Sequence, residues 1–136
     1  MIMMACRPSN KIGKLVGVPK EKSLENTFWV LDEISEKTVS TNNGSKPFIE
    51  LNAGTKSISG FGGCNKLLGS YQLTGKKIKF TTASTRMFCE QSMEVETHFL
   101  EALTSVNGFE IKDHELYLKS DTKIILKFHA ETLRKN

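Results

Sequence analysis

A mainly β domain is predicted by the sequence: a small antiparallel, barrel-like sheet of about seven or eight short strands with one amphipathic α-helix at about residues 92–106. Three observations lead there. Short runs rich in β-branched and aromatic residues recur along the chain, polar or glycine-bearing turns separate them at close intervals, and a single segment keeps a helical period.

The strands can be justified in order. Thr27-Phe28-Trp29-Val30-Leu31 opens the series, so the domain starts near Ser23. Asn42-Asn43-Gly44-Ser45 is a turn cluster, and Pro47-Phe48-Ile49-Glu50-Leu51 then alternates as a half-buried strand does. A further strand is centred on Ile58, between Lys56 and Gly60. Leu68–Leu73 and Lys77–Thr82 flank Thr74-Gly75-Lys76, which predicts a hairpin whose second arm turns Ile78 and Phe80 to one face and lysines to the other. Phe109–Lys112, Glu115–Lys119 and Lys123–Phe128 are separated by Asp113-His114 and Ser120-Asp121, the pattern of a three-stranded meander.

In the helical segment Val95, Phe99, Ala102, Leu103 and Val106 form one apolar stripe, while Glu94, His98, Glu101 and Ser105 take the opposite face. Ser92 is the expected N-cap, Glu94 and Glu96 suit the positive end of the helix dipole, and Asn107-Gly108 is the expected stop. Such a helix caps or plugs a closed or nearly closed barrel.

At 136 residues, 38% of them hydrophobic and 25% charged, the chain fits one domain with a core of its own. No stretch reaches the roughly 20 apolar residues a spanning helix needs. The net charge of +4 equals the surplus in residues 7–24, where Arg7, Lys11, Lys14, Lys20 and Lys22 face only Glu21. The remainder carries 14 basic and 14 acidic side chains, so the basic excess lies in a tail rather than in a patch that would bind nucleic acid. Residues 1–23 read as a flexible basic tail, a solvated linker or a segment attracted to an anionic membrane, and residues 24–132 as the domain.

The cysteines are Cys6, Cys64 and Cys89, with neither CxxC nor zinc-ligand spacing, and read as one pair and one residue with a separate fate. Met3-Met4-Ala5-Cys6 resembles the end of a bacterial lipoprotein signal, which makes Cys6 the lipid-anchor candidate and implies a start upstream of Met1. The other reading is an ordinary terminus with an incidental cysteine.

No catalytic constellation is expected. The loop Gly60-Phe61-Gly62-Gly63-Cys64-Asn65-Lys66 leads into a strand rather than a helix, so it is neither a P-loop nor a dinucleotide loop. His98, His114 and His129 are dispersed at predicted surface positions, Glu94 and Glu101 fall on the solvated helix face, and Met87 and Met93 read as filling. No metal and no cofactor are expected.

Gly63-Cys64-Asn65, Gly69-Ser70-Tyr71, Thr85-Arg86-Met87-Phe88-Cys89 and Glu96-x-x-Phe99-Leu100-x-Ala102-Leu103 follow one another in the order of the META/HslJ family. Trp29-Val30-Leu31 and the stretch from Leu116-Tyr117-Leu118 to Leu126-Lys127-Phe128 resemble its ends, so the likeness covers about residues 25–130. The resemblance implies a compact antiparallel barrel with a helix, found in heat-shock-associated and envelope proteins of bacteria, many of them lipoproteins, with a link to antibiotic tolerance in some members. It implies no catalytic mechanism.

Gly63, Cys64, Asn65, Gly69, Tyr71, Thr85, Arg86 and Cys89 carry over as signature positions of structural kind. Asn65 suits a tight loop, Tyr71 an inward ring with its hydroxyl at the rim, and Arg86 a fork of donors tying loop carbonyls together. The resemblance also makes Cys64 and Cys89 a disulfide candidate, which implies an oxidising compartment; two buried free thiols in a reducing cytoplasm are the alternative. The expected function is a non-catalytic, stress-associated envelope module that binds a protein or a small hydrophobic ligand. The alternatives are a thiol-based redox or sensor protein using Cys64 and Cys89, and a cytoplasmic ligand-binding barrel with a deep apolar pocket.

Overall fold

The computed structural model describes residues 23–40, 46–90 and 92–131; the tail with Cys6 and the Asn42–Ser45 turn lie outside them. The strands are β1 (Phe28–Ile34), β2 (Lys37–Thr38), β3 (Phe48–Asn52), β4 (Ser57–Phe61), β5 (Lys66–Thr74), β6 (Lys77–Ser84), β7 (Gly108–Lys112), β8 (Glu115–Ser120) and β9 (Lys123–Glu131). Among the described residues there is one helix, α1 (Met93–Ser105), between β6 and β7. All strand pairs are antiparallel in one sheet of order β6-β5-β4-β3-β1-β9-β8-β7, with β2 beside β1.

The mainly β class with one helix is as expected, and each predicted strand is present. The additional strand is β2, two exposed residues paired with Glu33 and Ile34 after a turn in which Ser35 and Glu36 take positive φ. The meander turns use Asp113 and Asp121 at φ 58° and 57°, a conformation that short polar side chains tolerate.

The sheet curls but does not close. Its end strands β6 and β7 meet at one corner only, where Ile78 N–H donates to the Asn107 carbonyl at 3.4 Å and Phe109 N–H to that of Lys76 at 3.1 Å. From there the two strands run apart, and α1 returns the chain from the far end of β6 to this corner, packing on β6, β1 and β9. Description as barrel-like is therefore loose.

Strand alternation sends Trp29, Leu31, Ile49, Leu51, Ile58, Leu67, Ile78, Leu116, Leu118, Leu126 and Phe128 into a common core. Phe99 and Leu103 of α1 are fully buried there, Phe99 with its ring 6.1 Å from that of Phe128. Each such side chain contributes roughly 1.5–3 kcal/mol on burial, which fixes the helix to the sheet more firmly than its caps do.

The helix ends differ from expectation. Ser92 stands at the N-cap position in the helical region and its side chain makes no capping bond; it is buried, and its carbonyl accepts from Glu96 N–H at 3.0 Å. At the other end the chain turns extended at Val106, and Gly108 already belongs to β7. Asn107 instead ties this corner to the β8–β9 turn: its amide oxygen accepts from Asp121 N–H at 2.8 Å and its amide nitrogen donates to Asp121 Oδ1 at 3.1 Å.

A disulfide-braced junction and a cleft beside the helix

The β4–β5 turn, the segment after β6 and the first turn of α1 converge at one end of the sheet. Cys64 and Cys89 are joined there by a disulfide with their Cα atoms 5.8 Å apart. Gly63 precedes the bonded pair at φ 124°, a backbone state that side chains disfavour.

At the centre of the junction lies Glu96, only 3% exposed. Its Oε1 accepts from the backbone N–H groups of Cys64 at 2.9 Å and Asn65 at 2.7 Å, and its Oε2 from Asn65 Nδ2 at 2.6 Å. Asn65, 2% exposed, also donates from Nδ2 to the Met87 carbonyl at 3.0 Å, and its Oδ1 accepts from Met87 N–H at 2.6 Å and Thr85 Oγ1 at 2.9 Å. Both ends of one amide are thus used up, in a place where an unpaired polar group would be costly. Lys66 N–H donates to Thr85 Oγ1 at 3.2 Å and completes the seam.

Of the signature positions, Gly63, Cys64, Asn65, Thr85 and Cys89 meet in this junction. Arg86 is exposed, and among the described residues its guanidinium ties no loop carbonyl; Asn65 does so instead, being buried where Arg86 faces water. Gly69 sits within β5, where an added Cβ would lie 2.0 Å from the Thr81 carbonyl oxygen, so it permits the tight bend of the curled sheet.

Tyr71 lies at the opposite end of the sheet. Its ring is buried, and its hydroxyl donates to Glu25 Oε2 at 2.5 Å and lies 3.3 Å from the Asn52 carbonyl. Lys56 Nζ reaches the same Glu25 oxygen at 2.9 Å. Burial, and then the bond to Glu25, pushes the Tyr71 phenol well above its ordinary range. The hydroxyl of Tyr71, followed by the ammonium of Lys56, holds Glu25 below the ordinary carboxylate value.

Glu96 is the residue that reading the sequence as an amphipathic helix misses. Its signal is positional, for it stands three residues before Phe99 and seven before Leu103, on the buried stripe itself. His129 also departs from a plain surface role: its Nδ1 is 2.9 Å from both Asp32 oxygens and its Nε2 2.7 Å from Glu131 Oε2. Burial works to lower its pKa, but the bonds to Glu131 and Asp32 prevail and raise it. Among the described residues no group of three or more His, Cys, Asp or Glu side chains is placed to hold a metal ion.

A cleft of about 950 Å³ opens between α1, the β1–β2 hairpin and the β8–β9 turn. Ile34, Val39, Val95, Ala102 and Ile125 supply apolar lining, and Lys37, Glu94, His98, Glu101, Asp121 and Lys123 supply charged or ionisable groups. The polar helix face is exposed as expected, and it also forms one wall of this cleft.

The chain resembles the NMR structure of a protein from Burkholderia xenovorans at 28% identity, with a TM-score of 0.66 over 98% of this chain and 96% of that one. A second NMR structure matches at 25% identity and a TM-score of 0.60, covering 78% and 90% of the two chains. The crystal structure of a duf4847 family protein from Bacteroides vulgatus, 13% identical with a TM-score of 0.59 over 82% of this chain and 96% of that one, shares the fold. No curated protein matches the chain. The model of the META domain matches residues 22–132, the strands, the helix and the braced junction included, and the chain belongs to the META domain family.

Proposed function

We propose that the chain is a non-catalytic module of the bacterial cell envelope, tethered through its N-terminal segment, that binds a protein or a small hydrophobic ligand and supports tolerance of heat or antibiotic stress. The observation that carries this reading is the saturation of the signature junction. Both cysteines are bonded, both Glu96 oxygens and both ends of the Asn65 amide have partners, and the cluster thus acts as a brace. Beside Arg86 it holds two apolar side chains out to solvent: Met87 is 58% and Phe88 77% exposed. The disulfide favours export, because reducing cytoplasms keep thiols free. The cleft beside α1, at about 950 Å³ and partly apolar, falls within the size range of small-ligand sites.

Intact mass of the native protein, taken before and after reduction and alkylation, tests this reading. The expected result is one disulfide and an acylated Cys6. Unlipidated protein with three titratable thiols overturns both export and anchoring.

One observation favours a second reading, a thiol-based redox or sensor protein using Cys64 and Cys89. Cys89 is half-buried, and its carbonyl accepts from Ser92 and Met93 N–H at 3.0 and 3.1 Å, so the residue stands just ahead of the α1 N-terminus, a setting that favours a thiolate. A bond that opens under mild reductant to give a low-pKa thiol supports this reading; an inert bond supports the module.

A further inference from the structure

Charge is segregated within the folded domain. From Leu51 to Cys89 there are six basic residues, Lys56, Lys66, Lys76, Lys77, Lys79 and Arg86, and no aspartate or glutamate. The other described residues hold six basic and 14 acidic side chains. The acid-free segment is β4, β5, β6 and the loop that follows. Because Leu67, Tyr71, Ile78 and Phe80 point inward, Lys66, Lys77 and Lys79 stand on the outer face. Lys56 is paired with Glu25, whereas Lys66, Lys77, Lys79 and Arg86 are exposed and form no ion pair among the described residues.

The most exposed large apolar side chains lie on this face or in the loop at its end. Leu68, 58% exposed, stands two residues from Lys66 on β5, and Met87 and Phe88 follow β6 at that end. Asn65 holds the Met87 backbone on both sides and the disulfide holds Cys89, so the tip is fixed in an exposed position. Two independent features, a cationic face without acids and a rigid apolar tip at its end, therefore coincide.

We infer that the outer face of β5 and β6, with its Met87–Phe88 tip, docks on an anionic lipid bilayer, the tip entering the interface and the lysines lying against headgroup phosphates. Charge complementarity selects an anionic surface. The tip selects a bilayer over nucleic acid, since of Leu68, Met87 and Phe88 only one has a ring to stack on a base, and four of the segment's five cations without an ion pair among the described residues are lysines. This contact belongs to the domain and adds to any tether at Cys6, as stable anchoring takes two signals. It deepens the envelope reading and rests on it for its cellular setting.

The test uses the full chain with Cys6→Ser, which removes an acyl anchor and keeps the charges of the tail. Sedimentation with vesicles of phosphatidylcholine alone, and of phosphatidylcholine mixed with phosphatidylglycerol, is expected to show binding to the mixture only. Met87→Ser with Phe88→Ser, and separately Lys77→Gln with Lys79→Gln, are each expected to lower the partition coefficient roughly tenfold or more. Lys11→Gln with Lys14→Gln is expected to lower it without cancelling either effect. In a second readout, Phe88→Trp is expected to shift its emission to the blue with anionic vesicles.

Several results overturn the proposal: no binding to either vesicle, equal binding to both, or face variants that bind as the parent does. So does tighter binding of a single-stranded oligonucleotide with the same sensitivity to the face variants, or a dimer that Met87→Ser with Phe88→Ser converts to a monomer. A native protein with three free thiols and no lipid defeats the envelope reading instead, and leaves the vesicle measurement intact.

Discussion

Two polar clusters stand at opposite ends of the sheet, and they are built on different principles. At the disulfide end Glu96 and Asn65 are sealed from water and each makes several bonds, with a covalent link beside them. At the other end Tyr71, Glu25 and Lys56 form a short chain that opens to solvent. The contrast shows how burial sets the worth of a hydrogen bond: orphaning a sealed group costs its full desolvation, while water replaces much of what a rim group loses. The first end is thus a structural lock and the second a trim.

The sharpest way to break that contrast is to remove the hub. Glu96→Ala orphans three N–H groups and is expected to destabilise the domain by roughly 3 to 5 kcal/mol in urea unfolding. A loss below about 1 kcal/mol, as expected of a rim group, would put the two ends on a par. Next in size is the disulfide. Cys64→Ser with Cys89→Ser frees a closed loop of 25 residues and is expected to cost about 3 kcal/mol. Both variants should lose stability without change in the far-UV spectrum of the folded state, since the core that Phe99 and Phe128 anchor remains.

Much of the fold was legible because its signals are local. Ile78 and Phe80, Leu116 and Leu118, and the stripe through Phe99 and Leu103 each announce a face within a few residues. β2 was not legible, since Lys37-Thr38 has no apolar alternation and owes its pairing to the turn at Ser35 and Glu36. The candidate site was legible only in part. Its cysteines, Asn65, Thr85 and Glu96 all stood in spaced motifs, yet nothing in that spacing marked Glu96, read as an ordinary first-turn acid, as the partner that joins the others. Glu25 gave no sign of meeting Tyr71, 46 residues away, because a long-range bond leaves no period. Charge segregation could have been read directly: net charge summed over the whole domain hides what the span from Leu51 to Cys89 displays.

The smallest effect is the most diagnostic of the contrast. Tyr71→Phe removes one hydroxyl from the rim and is expected to cost about 1 kcal/mol near neutral pH. Glu25 has its pKa lowered on folding, so the stability it contributes is present above its ordinary value of 4.5 and is lost as pH falls through the depressed value. Tyr71 has its pKa raised on folding, so its contribution is present below the ordinary phenol value of 10.0 and is lost as rising pH ionises the unfolded chain first. The gap in unfolding free energy between the parent and Tyr71→Phe should therefore be widest between these two values and shrink on both sides. The gap for the double serine variant should stay level from 4.5 towards neutrality, because a disulfide holds no titrating proton there. A Tyr71→Phe gap that is just as level would mean that its hydroxyl works through packing alone, and the two ends would then differ in strength but not in kind.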